Sequence, residues 1–344
     1  MKKNLFIFLI ISPILAISMA AVRVYYVIYY SSYSGPETSF SVRSGEGFSS
    51  VNGRLGRKEI ISNTRIFHRY AQVKGYMTKL KKGDYTIPSG STMEEVVTIL
   101  IEGKGKTILV TIPEGKNLYE IAAILESKNI LKSKSEFIKI AKDSSTAGRY
   151  NLKGTRLEGY LYPDTYRFTR HSKPNDIIAT FVNEFIRKTK NLDFTHPELS
   201  KHQLITLASI VEKETGRAIE RPRIAGVFFN RLRTRMRIQS DPTTIYGIWE
   251  SFNGNLRRKH LLEKTPYNTY KINGLPIGPI SNPGIKAIEA VLKPETHKFL
   301  YFVSKNDGTH VFSKNLKDHN DAVNYWQKNA RNRKGRSWRK RKKK

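Results

Sequence analysis

Hydrophobic residues are most concentrated at the start of the chain, where residues 5–22 form an apolar run without a charge. A helix of that length is just long enough to cross the hydrocarbon core of a bilayer. The aromatic-rich segment 24–30 continues the run and is typical of a membrane interface. We therefore predict a transmembrane anchor over residues 1–30. The lysines at positions 2 and 3 favour a cytoplasmic N-terminus.

A cleaved signal peptide is the alternative interpretation of this segment, because Ser18-Met19-Ala20 resembles the small-x-small pattern of a cleavage site. The apolar run is long for a signal peptide, however, and apolar residues continue past the cleavage position. The pattern therefore favours an anchor that is retained. Both interpretations place the rest of the chain on the outer, periplasmic side of the cytoplasmic (inner) membrane.

The pattern after the anchor predicts two folded parts of different size. Residues 31–38 are polar and contain Gly and Pro, which indicates a linker. Short alternating and helical segments over 39–107 predict a small mixed α/β module. Longer helices and a few strands over 108–327 predict a larger mixed α/β domain. The predicted fold class is therefore α+β with an N-terminal transmembrane helix.

Turn-forming residues in the larger domain predict where its elements end. Pro242 directly follows Asp241, and this pair predicts a turn. The run Asn306-Asp307-Gly308 lies between two β-rich segments and predicts a closing hairpin. A last helix is expected over 320–329.

The most informative stretch is 204–215, an apolar helix that ends in two carboxylates. Its apolar residues fill one broad side of the helix, and Glu212 and Glu214 fall near the two opposite edges of that side. A carboxyl group between an apolar wall and a cleft has a raised pKa, which makes it a proton donor near neutral pH. The alternative is that both are solvated residues at a helix end. Periodicity does not choose between the two glutamates.

The loop 153–167 brings carboxyl and aromatic side chains together. It contains Glu158 and Asp164 among several tyrosines, and its Gly and Pro residues interrupt the helical pattern. Aromatic rings stack on pyranose faces and carboxylates accept hydrogen bonds from hydroxyl groups, so this composition suits sugar binding. A well-packed tyrosine corner explains the same composition equally well.

Composition excludes several kinds of chemistry. The chain has no cysteine, which excludes disulfides, thiolate catalysis and zinc or iron–sulfur sites with Cys ligands. Its eight histidines show no metal-binding spacing, and no G-x-S-x-G elbow or phosphate-binding loop occurs. We therefore predict neither a metal nor a cofactor.

The charge of the chain is strongly positive, with a net value of +32. Eleven Lys and Arg residues lie within 328–344 without a single acidic residue, and we expect this tail to be disordered. The rest of the chain is basic too. Such charge favours anionic partners such as phospholipid head groups, nucleic acid or anionic wall polymers. No nucleic-acid fold signature accompanies it, so we predict no specific nucleic-acid partner.

Five motifs follow one another through the larger domain. They are LEGYLYPDTY at 157–166, ASIVEKET at 208–215, FFNRLRTRMRIQSDPTTIYG at 228–247, YNTY at 267–270 and GLPIGPISNPG at 274–284. Together with the terminal hairpin, they resemble the MltG/YceG family of endolytic murein transglycosylases. The resemblance covers about residues 39–326. It implies a LysM-like module over 39–107 ahead of a catalytic domain over 108–327.

The resemblance also implies a catalytic residue and a reaction. The family uses the glutamate before Thr in the E-K-E-T motif, which is Glu214 here, with Glu212 as a supporting residue. The implied reaction is non-hydrolytic cleavage of the MurNAc–GlcNAc β-1,4 bond. Glu214 protonates the glycosidic oxygen and then accepts the proton of the MurNAc C6 hydroxyl, which attacks C1 and leaves a 1,6-anhydro end. Because the nucleophile belongs to the substrate, no second carboxylate is needed.

By the same resemblance, further polar and aromatic residues border the cleft. Asn or Gln side chains suit polarisation of an N-acetyl carbonyl, and tyrosine rings suit stacking on a sugar. The residues implied are Glu158, Asp164, Thr165, Tyr166, Asn230, Arg231, Gln239, Asp241, Thr243, Tyr246, Asn268 and Tyr270.

The implied function is that of a membrane-anchored lyase that trims or terminates nascent glycan strands beside cell-wall synthases. A non-catalytic peptidoglycan-binding scaffold is an alternative, although the intact E-K-E-T and Q-S-D-P-T motifs argue against it. A basic membrane protein that binds polyanions through its charge is another alternative, and salt-sensitive binding that vanishes when residues 328–344 are removed would locate that activity in the tail only. An ordinary hydrolase that uses water differs from the lyase in the ends of its products.

Overall fold

The computed structural model describes residues 2–103, 108–131, 133–168, 172–329 and 332. Helices dominate these residues, and the short strands pair two by two as β1–β2, β3–β4 and β5–β6. The α-helices are α1 (Lys2–Tyr29), α2 (Phe48–Arg57), α3 (Thr64–Val73), α4 (Met93–Glu102), α5 (Leu118–Ser127), α6 (Lys134–Lys142), α7 (Ser144–Gly148), α8 (Pro174–Thr189), α9 (Lys201–Glu214), α10 (Arg221–Arg233), α11 (Asp241–Gly247), α12 (Arg258–Leu262), α13 (Ile285–Leu292) and α14 (Leu316–Val323). The strands are β1 (Thr38–Val42), β2 (Gly83–Ile87), β3 (Ile108–Thr111), β4 (Thr165–Phe168), β5 (Tyr301–Ser304) and β6 (His310–Ser313). The prediction of an α+β fold is confirmed.

Helix α1 forms where the sequence predicts an apolar helix. Its window Ser12–Tyr29 is long and apolar enough to cross a membrane. Among the described residues, one helix meets this criterion, and it is α1. Its apolar side chains, such as Ile14 and Met19, are exposed along most of that window. Length and composition of this kind are shared by membrane anchors and signal sequences.

The described residues form two compact units, and the first comprises those within 1–110, 128–131 and 167–173. Strand β1 pairs antiparallel with β2, in a register that sets Phe40 opposite Tyr85. Both side chains are buried in a core with α2, α3 and α4. Thr92 closes a capping box at the start of α4. The module over 39–107 stays a prediction, and its residues 104–107 lie outside the described part.

The second unit is built around α9. Ser200 and Gln203 form a capping box at its start, and each residue from Leu204 to Val211 is buried. Helices α10, α11 and α13 pack against it. Because apolar side chains are buried on nearly all sides, α9 is a central core helix, and its last residue is Glu214.

The C-terminal part confirms the predicted hairpin and moves the last helix. Strands β5 and β6 pair antiparallel, with Tyr301 opposite Ser313. Helix α14 starts at Leu316, earlier than the predicted residue 320, because the Asn315 side chain caps it by accepting from the Asp318 backbone N–H. The prediction of a disordered tail falls almost entirely on residues outside the described part.

The turn predicted at Asp241-Pro242 is the start of a helix in the structure. Both residues lie in the first turn of α11, which Ser240 precedes. Proline is tolerated there because the first turn of a helix has no intrahelical acceptor for its N–H groups. The prediction of a turn was therefore wrong for these residues. The Asp-Pro pair marks the start of a helix here.

Candidate active site

Glu214 lies where α9 ends and a cavity begins. The chain leaves the helix at Thr215, which is extended and buried. The cavity has a volume of about 390 Å³. It is lined by Glu214, Arg231, Ile238, Gln239, Asp241, Tyr270, Tyr301, Phe302, Leu316, His319 and Asn320.

The carboxyl group of Glu214 accepts a hydrogen bond from the Ser240 hydroxyl, with 2.5 Å between Oγ and Oε1. Burial raises the pKa of Glu214 to about 7, and the negative charge of Asp241 adds to the rise. The Ser240 hydrogen bond and the positive charge of Arg231 oppose it. A carboxyl group with this pKa holds its proton up to neutral pH and can also give it up there.

A network of hydroxyl groups fixes the position of Ser240. Its backbone N–H donates to Thr269 Oγ1 at 3.0 Å, and its carbonyl accepts from the Thr243 hydroxyl at 2.6 Å. The two threonine hydroxyls are 2.7 Å apart. Gln239, just before Ser240, has a φ of +52° and is thus in the left-handed region, which few non-glycine residues adopt. The segment is therefore held in one conformation by buried partners.

Asp241 and Tyr270 face each other at the edge of the cavity. The Tyr270 hydroxyl donates to Asp241 Oδ1 at 2.7 Å. Burial and the neighbouring Asp241 carboxylate raise the pKa of Tyr270 above its ordinary range. The phenol therefore keeps its proton and acts as a donor.

Arg231 connects the cavity to the C-terminal hairpin. Its Nε donates to the Leu300 carbonyl and its Nη1 to the Ile238 carbonyl, each at 2.7 Å. The guanidinium lies over the Tyr301 ring, 5.4 Å from its centre. The Tyr301 ring stacks in turn on His319 at 5.1 Å. Burial lowers the pKa of His319, and the Arg231 charge adds to this effect.

Glu158 is a second buried carboxyl group, and it lies outside this cavity. Its side chain is inaccessible to solvent. It accepts from the Leu118 backbone N–H at 3.0 Å, from Asn282 Nδ2 at 2.8 Å and from the Tyr246 hydroxyl at 2.8 Å. Burial raises the pKa of Glu158 to about 7 against the effect of these donors. Glu158 therefore joins three segments of the core and offers no surface to a ligand.

Glu212 faces a different side of α9 from Glu214. It forms an ion pair with Arg221 at 2.7 Å and accepts from the Gly284 backbone N–H at 3.1 Å. Burial raises the pKa of Glu212, and the Arg221 charge opposes the rise. The carboxylate therefore ties α9 to the start of α10 and to the turn before α13.

Of the other residues that the sequence suggests for the cleft, two are buried asparagines that hold backbone carbonyls. Asn230 Nδ2 donates to the His297 carbonyl at 2.8 Å. Asn268 Nδ2 donates to the Glu263 carbonyl at 2.6 Å, and its Oδ1 accepts from Thr244. Neither residue lines the Glu214 cavity.

The residues from the 164–166 segment also lie outside the cavity. Asp164 forms an ion pair with Lys188 at 3.2 Å. The hydroxyl groups of Thr165 and Thr111 are 2.9 Å apart, and the Tyr166 hydroxyl donates to the Tyr162 carbonyl at 2.6 Å. The structure thus gathers four of the suggested cleft residues around Glu214, namely Arg231, Gln239, Asp241 and Tyr270.

Several residues at the cavity were absent from the set that the sequence suggested. Ser240 lies inside the Q-S-D-P-T motif, between two residues that were named, so its position in that motif was an available signal. Tyr301 and His319 come from the C-terminal hairpin and helix, about 90 to 100 residues after Glu214. Only folding brings them to the site. Within the described ranges, no group of three His, Asp or Glu side chains is arranged to hold a metal ion.

Comparisons with known proteins agree with one another. The model of the YceG-like family matches residues 40–325. An endolytic murein transglycosylase of Bacillus subtilis is 30% identical over 305 residues, which is 83% of each chain. An endolytic murein transglycosylase of Streptococcus pneumoniae is 29% identical over 318 residues, and the match covers 82% of this chain and 57% of that relative. A crystal structure of a yceG-like protein from Listeria monocytogenes is similar, with a TM-score of 0.57, 34% identity, and coverage of 84% of this chain and all of that one.

Proposed function

The chain belongs to the YceG-like family, and on that basis we propose that it is an endolytic murein transglycosylase with Glu214 as its catalytic residue. The substrate is the glycan strand of peptidoglycan, and the bond cleaved is the β-1,4 bond between MurNAc and GlcNAc. The observation that carries this proposal is the carboxyl group of Glu214, which has a pKa of about 7 and lines an accessible cavity.

The first step uses Glu214 as an acid. Its proton passes to the glycosidic oxygen as the bond from that oxygen to MurNAc C1 breaks, and GlcNAc leaves with a free O4 hydroxyl. Positive charge develops at C1 during this step. The Asp241 carboxylate lines the same cavity as Glu214 and is held in place by the Tyr270 hydroxyl. In this proposal it stabilises the positive charge at C1.

The second step uses the same group as a base. The Glu214 carboxylate accepts the proton of the MurNAc C6 hydroxyl, and O6 forms a bond to C1. The product carries a 1,6-anhydro ring, and Glu214 recovers the proton that it gave away. One group with a pKa near the working pH serves both transfers, so the mechanism requires no second carboxylate.

The remaining cavity residues bind and orient the sugar in this proposal. Gln239 supplies an amide that polarises the N-acetyl carbonyl, and Tyr270 supplies a ring for a sugar face. Arg231 holds the walls together through two backbone carbonyls. We assign no sugar contact to the suggested cleft residues that the cavity does not include.

The location of the enzyme follows from α1 in this proposal. The helix is retained as a single membrane anchor with a cytoplasmic N-terminus, and the rest of the chain works on the outer side of the cytoplasmic membrane. The first unit acts as a LysM-like wall-binding module. At that position the enzyme terminates glycan elongation beside cell-wall synthases.

Mass spectrometry of digested glycan strands tests the proposal. The full chain, in detergent, is compared with Glu214→Gln and with Glu198→Gln, which changes an exposed glutamate just before α9. We expect 1,6-anhydro-MurNAc ends from the wild type and from Glu198→Gln, and none above background from Glu214→Gln. Reducing ends in place of anhydro ends would indicate a hydrolase. Glycan binding without cleavage by the wild type would indicate a scaffold.

A further inference from the structure

A second cavity, of about 540 Å³, lies on the second unit next to the Glu158 core, and four of its thirteen lining residues are aromatic. Trp249 and Tyr119 stack in it nearly parallel, with ring centres 5.9 Å apart. Tyr246 and Tyr267 form its inner wall, with ring centres 4.8 Å apart. Its size is that of an ordinary small-molecule site. We call it the Arg156 cavity, after the cation described next.

Arg156 lines this cavity without a carboxylate partner among the described residues. Its guanidinium lies over the Tyr267 ring, 5.8 Å from the ring centre. Its Nε–H is buried and has no hydrogen-bond acceptor in the described part of the chain. Of the nearby carboxylates, Glu158 is occupied by its own donors, and Glu250 is paired with Lys142 at 2.8 Å. Glu263, at the rim, is exposed.

This combination of groups indicates the chemistry of a ligand. A guanidinium presents a planar fork of N–H donors that matches a carboxylate. Aromatic rings offer flat apolar surfaces that suit the C–H face of a pyranose ring. We propose that the Arg156 cavity binds an amino sugar of the wall glycan whose carboxylate is free because it carries no stem peptide, with Arg156 contacting the carboxylate and Trp249 contacting the sugar ring. The choice of an amino sugar rests on the proposed function, whereas the carboxylate follows from Arg156.

The Arg156 cavity shares a wall with the Glu214 cavity. In helix α11, Asp241 at the start lines the Glu214 cavity, and Tyr246 near the end lines the Arg156 cavity. In the segment after α12, Tyr270 lines the Glu214 cavity and Tyr267 lines the Arg156 cavity. Five residues of helix rise about 7.5 Å, and three residues of extended chain span at most about 10 Å. A glycan strand of several sugars is longer than this wall, so one strand can contact both cavities.

Calorimetry on the full chain in detergent tests the site with three probes. N-acetylmuramic acid carries both the ring and the carboxylate, N-acetylglucosamine lacks the carboxylate, and N-acetylalanine lacks the ring. We expect N-acetylmuramic acid to bind about tenfold more tightly than either of the others, since a charge-assisted hydrogen bond of this kind changes affinity by that order. In Arg156→Gln the preference over N-acetylglucosamine is expected to disappear.

The matched control is Arg223→Gln. Arg223 also lies over an aromatic ring, with 5.4 Å to the centre of Phe312, but it pairs with Glu295 and lines neither cavity. We expect this variant to keep the wild-type preference. Arg156→Lys, which keeps the charge but not the planar fork, is expected to retain part of it and shows whether a loss in Arg156→Gln comes from charge rather than from misfolding.

Tryptophan fluorescence locates the ligand. The chain has three Trp residues, and Trp249 is the one in this cavity. Binding of N-acetylmuramic acid is expected to change the fluorescence of the wild type, and Trp249→Phe is expected to abolish that change while calorimetry still detects binding. An unchanged signal in Trp249→Phe, or a preference for the acid that survives Arg156→Gln, would place the ligand elsewhere and overturn the inference.

The outcomes separate this inference from the proposed function. Loss of the preference in Arg156→Gln, together with a wild type that forms no anhydro ends, would retain the site and reject the transglycosylase. If the wild type forms anhydro ends but binds N-acetylmuramic acid and N-acetylglucosamine equally well, the transglycosylase would be retained and the carboxylate site rejected. Binding of N-acetylalanine as tight as that of N-acetylmuramic acid would reject the sugar and assign the carboxylate to a peptide.

Discussion

Glu158 and Glu214 are two carboxyl groups whose pKa is raised to about 7 by desolvation, and their surroundings are opposite. Glu158 is sealed in the core and accepts from Leu118, Asn282 and Tyr246. Glu214 lines a cavity, and within the described residues its hydrogen-bond donor is Ser240. A raised pKa therefore does not by itself identify a catalytic group, because both glutamates have one.

The difference lies in the number of donors and in access. A carboxylate that accepts several hydrogen bonds holds segments together, and a proton exchanged there reaches no substrate. A carboxyl group with one donor and an open side has lone pairs left for a ligand. Exposure and free hydrogen-bonding capacity thus distinguish the reactive glutamate from the structural one in this chain.

The largest expected effect is on catalysis, in Glu214→Gln. The amide cannot donate or accept the transferred proton, so we expect the rate of anhydro-end formation to fall about a thousandfold. The temperature of unfolding should stay close to that of Glu198→Gln, because the amide fills the same space as the carboxyl group. A variant that unfolds much earlier would mean that Glu214 is structural, like Glu158.

Glu158→Gln should show the reverse pattern. The amide nitrogen cannot accept from Leu118, Asn282 and Tyr246 as the carboxylate does, and a buried donor is left without a partner. At pH 5, below the pKa of Glu158, we expect the free energy of unfolding to fall by about 3 kcal/mol. Chemical denaturation measures this loss, with Glu198→Gln as the control. An unchanged unfolding free energy would contradict the structural role.

The pH dependence of stability sharpens the same contrast. The folded-state pKa of Glu158, about 7, exceeds the ordinary 4.5, so its contribution is complete below about pH 4.5 and is lost as the pH rises through 7. That loss corresponds to about 3 kcal/mol. The free energy of unfolding should therefore change less between pH 5 and pH 8 in Glu158→Gln than in the wild type. Equal differences would show that Glu158 does not titrate in this range.

The smallest expected effect is that of Ser240→Ala on the pH–rate profile. Glu214 starts the reaction protonated, so activity declines above its pKa of about 7. The Ser240 hydroxyl stabilises the carboxylate, and its removal should move the decline about one unit towards higher pH. Ser127→Ala, which changes an exposed serine on α5, should leave the profile in place. A shift towards lower pH would contradict the hydrogen bond.

Local sequence signals predict much of the fold around the site. The apolar period of 204–211 predicts the buried helix α9, and Asn306-Asp307-Gly308 predicts the hairpin of β5 and β6. These features depend on neighbours a few residues apart, which a pattern contains. The predicted turn at Asp241-Pro242 failed because proline marks both helix breaks and helix starts, and the difference depends on the following residues.

The roles of the glutamates depend on distant partners, which no local pattern contains. Periodicity placed Glu212 and Glu214 at opposite edges of α9, and the structure supplies Arg221 for one and Ser240 for the other. Glu158, which composition grouped with sugar-binding residues, is buried because the first N–H of α5, from Leu118, needs an acceptor. That donor lies 40 residues earlier in the chain.

Glu158 and Glu214 lie at opposite ends of helix dipoles. The Glu158 carboxyl meets the first residue of α5, whereas Glu214 is the last residue of α9. Aligned peptide dipoles leave about half a positive charge at the start of a helix and about half a negative charge at its end. The field at the end of α9 therefore helps Glu214 to keep its proton. The same field lowers the energy of a short-lived cation beside it, such as the one that forms at the anomeric carbon when a glycosidic bond breaks.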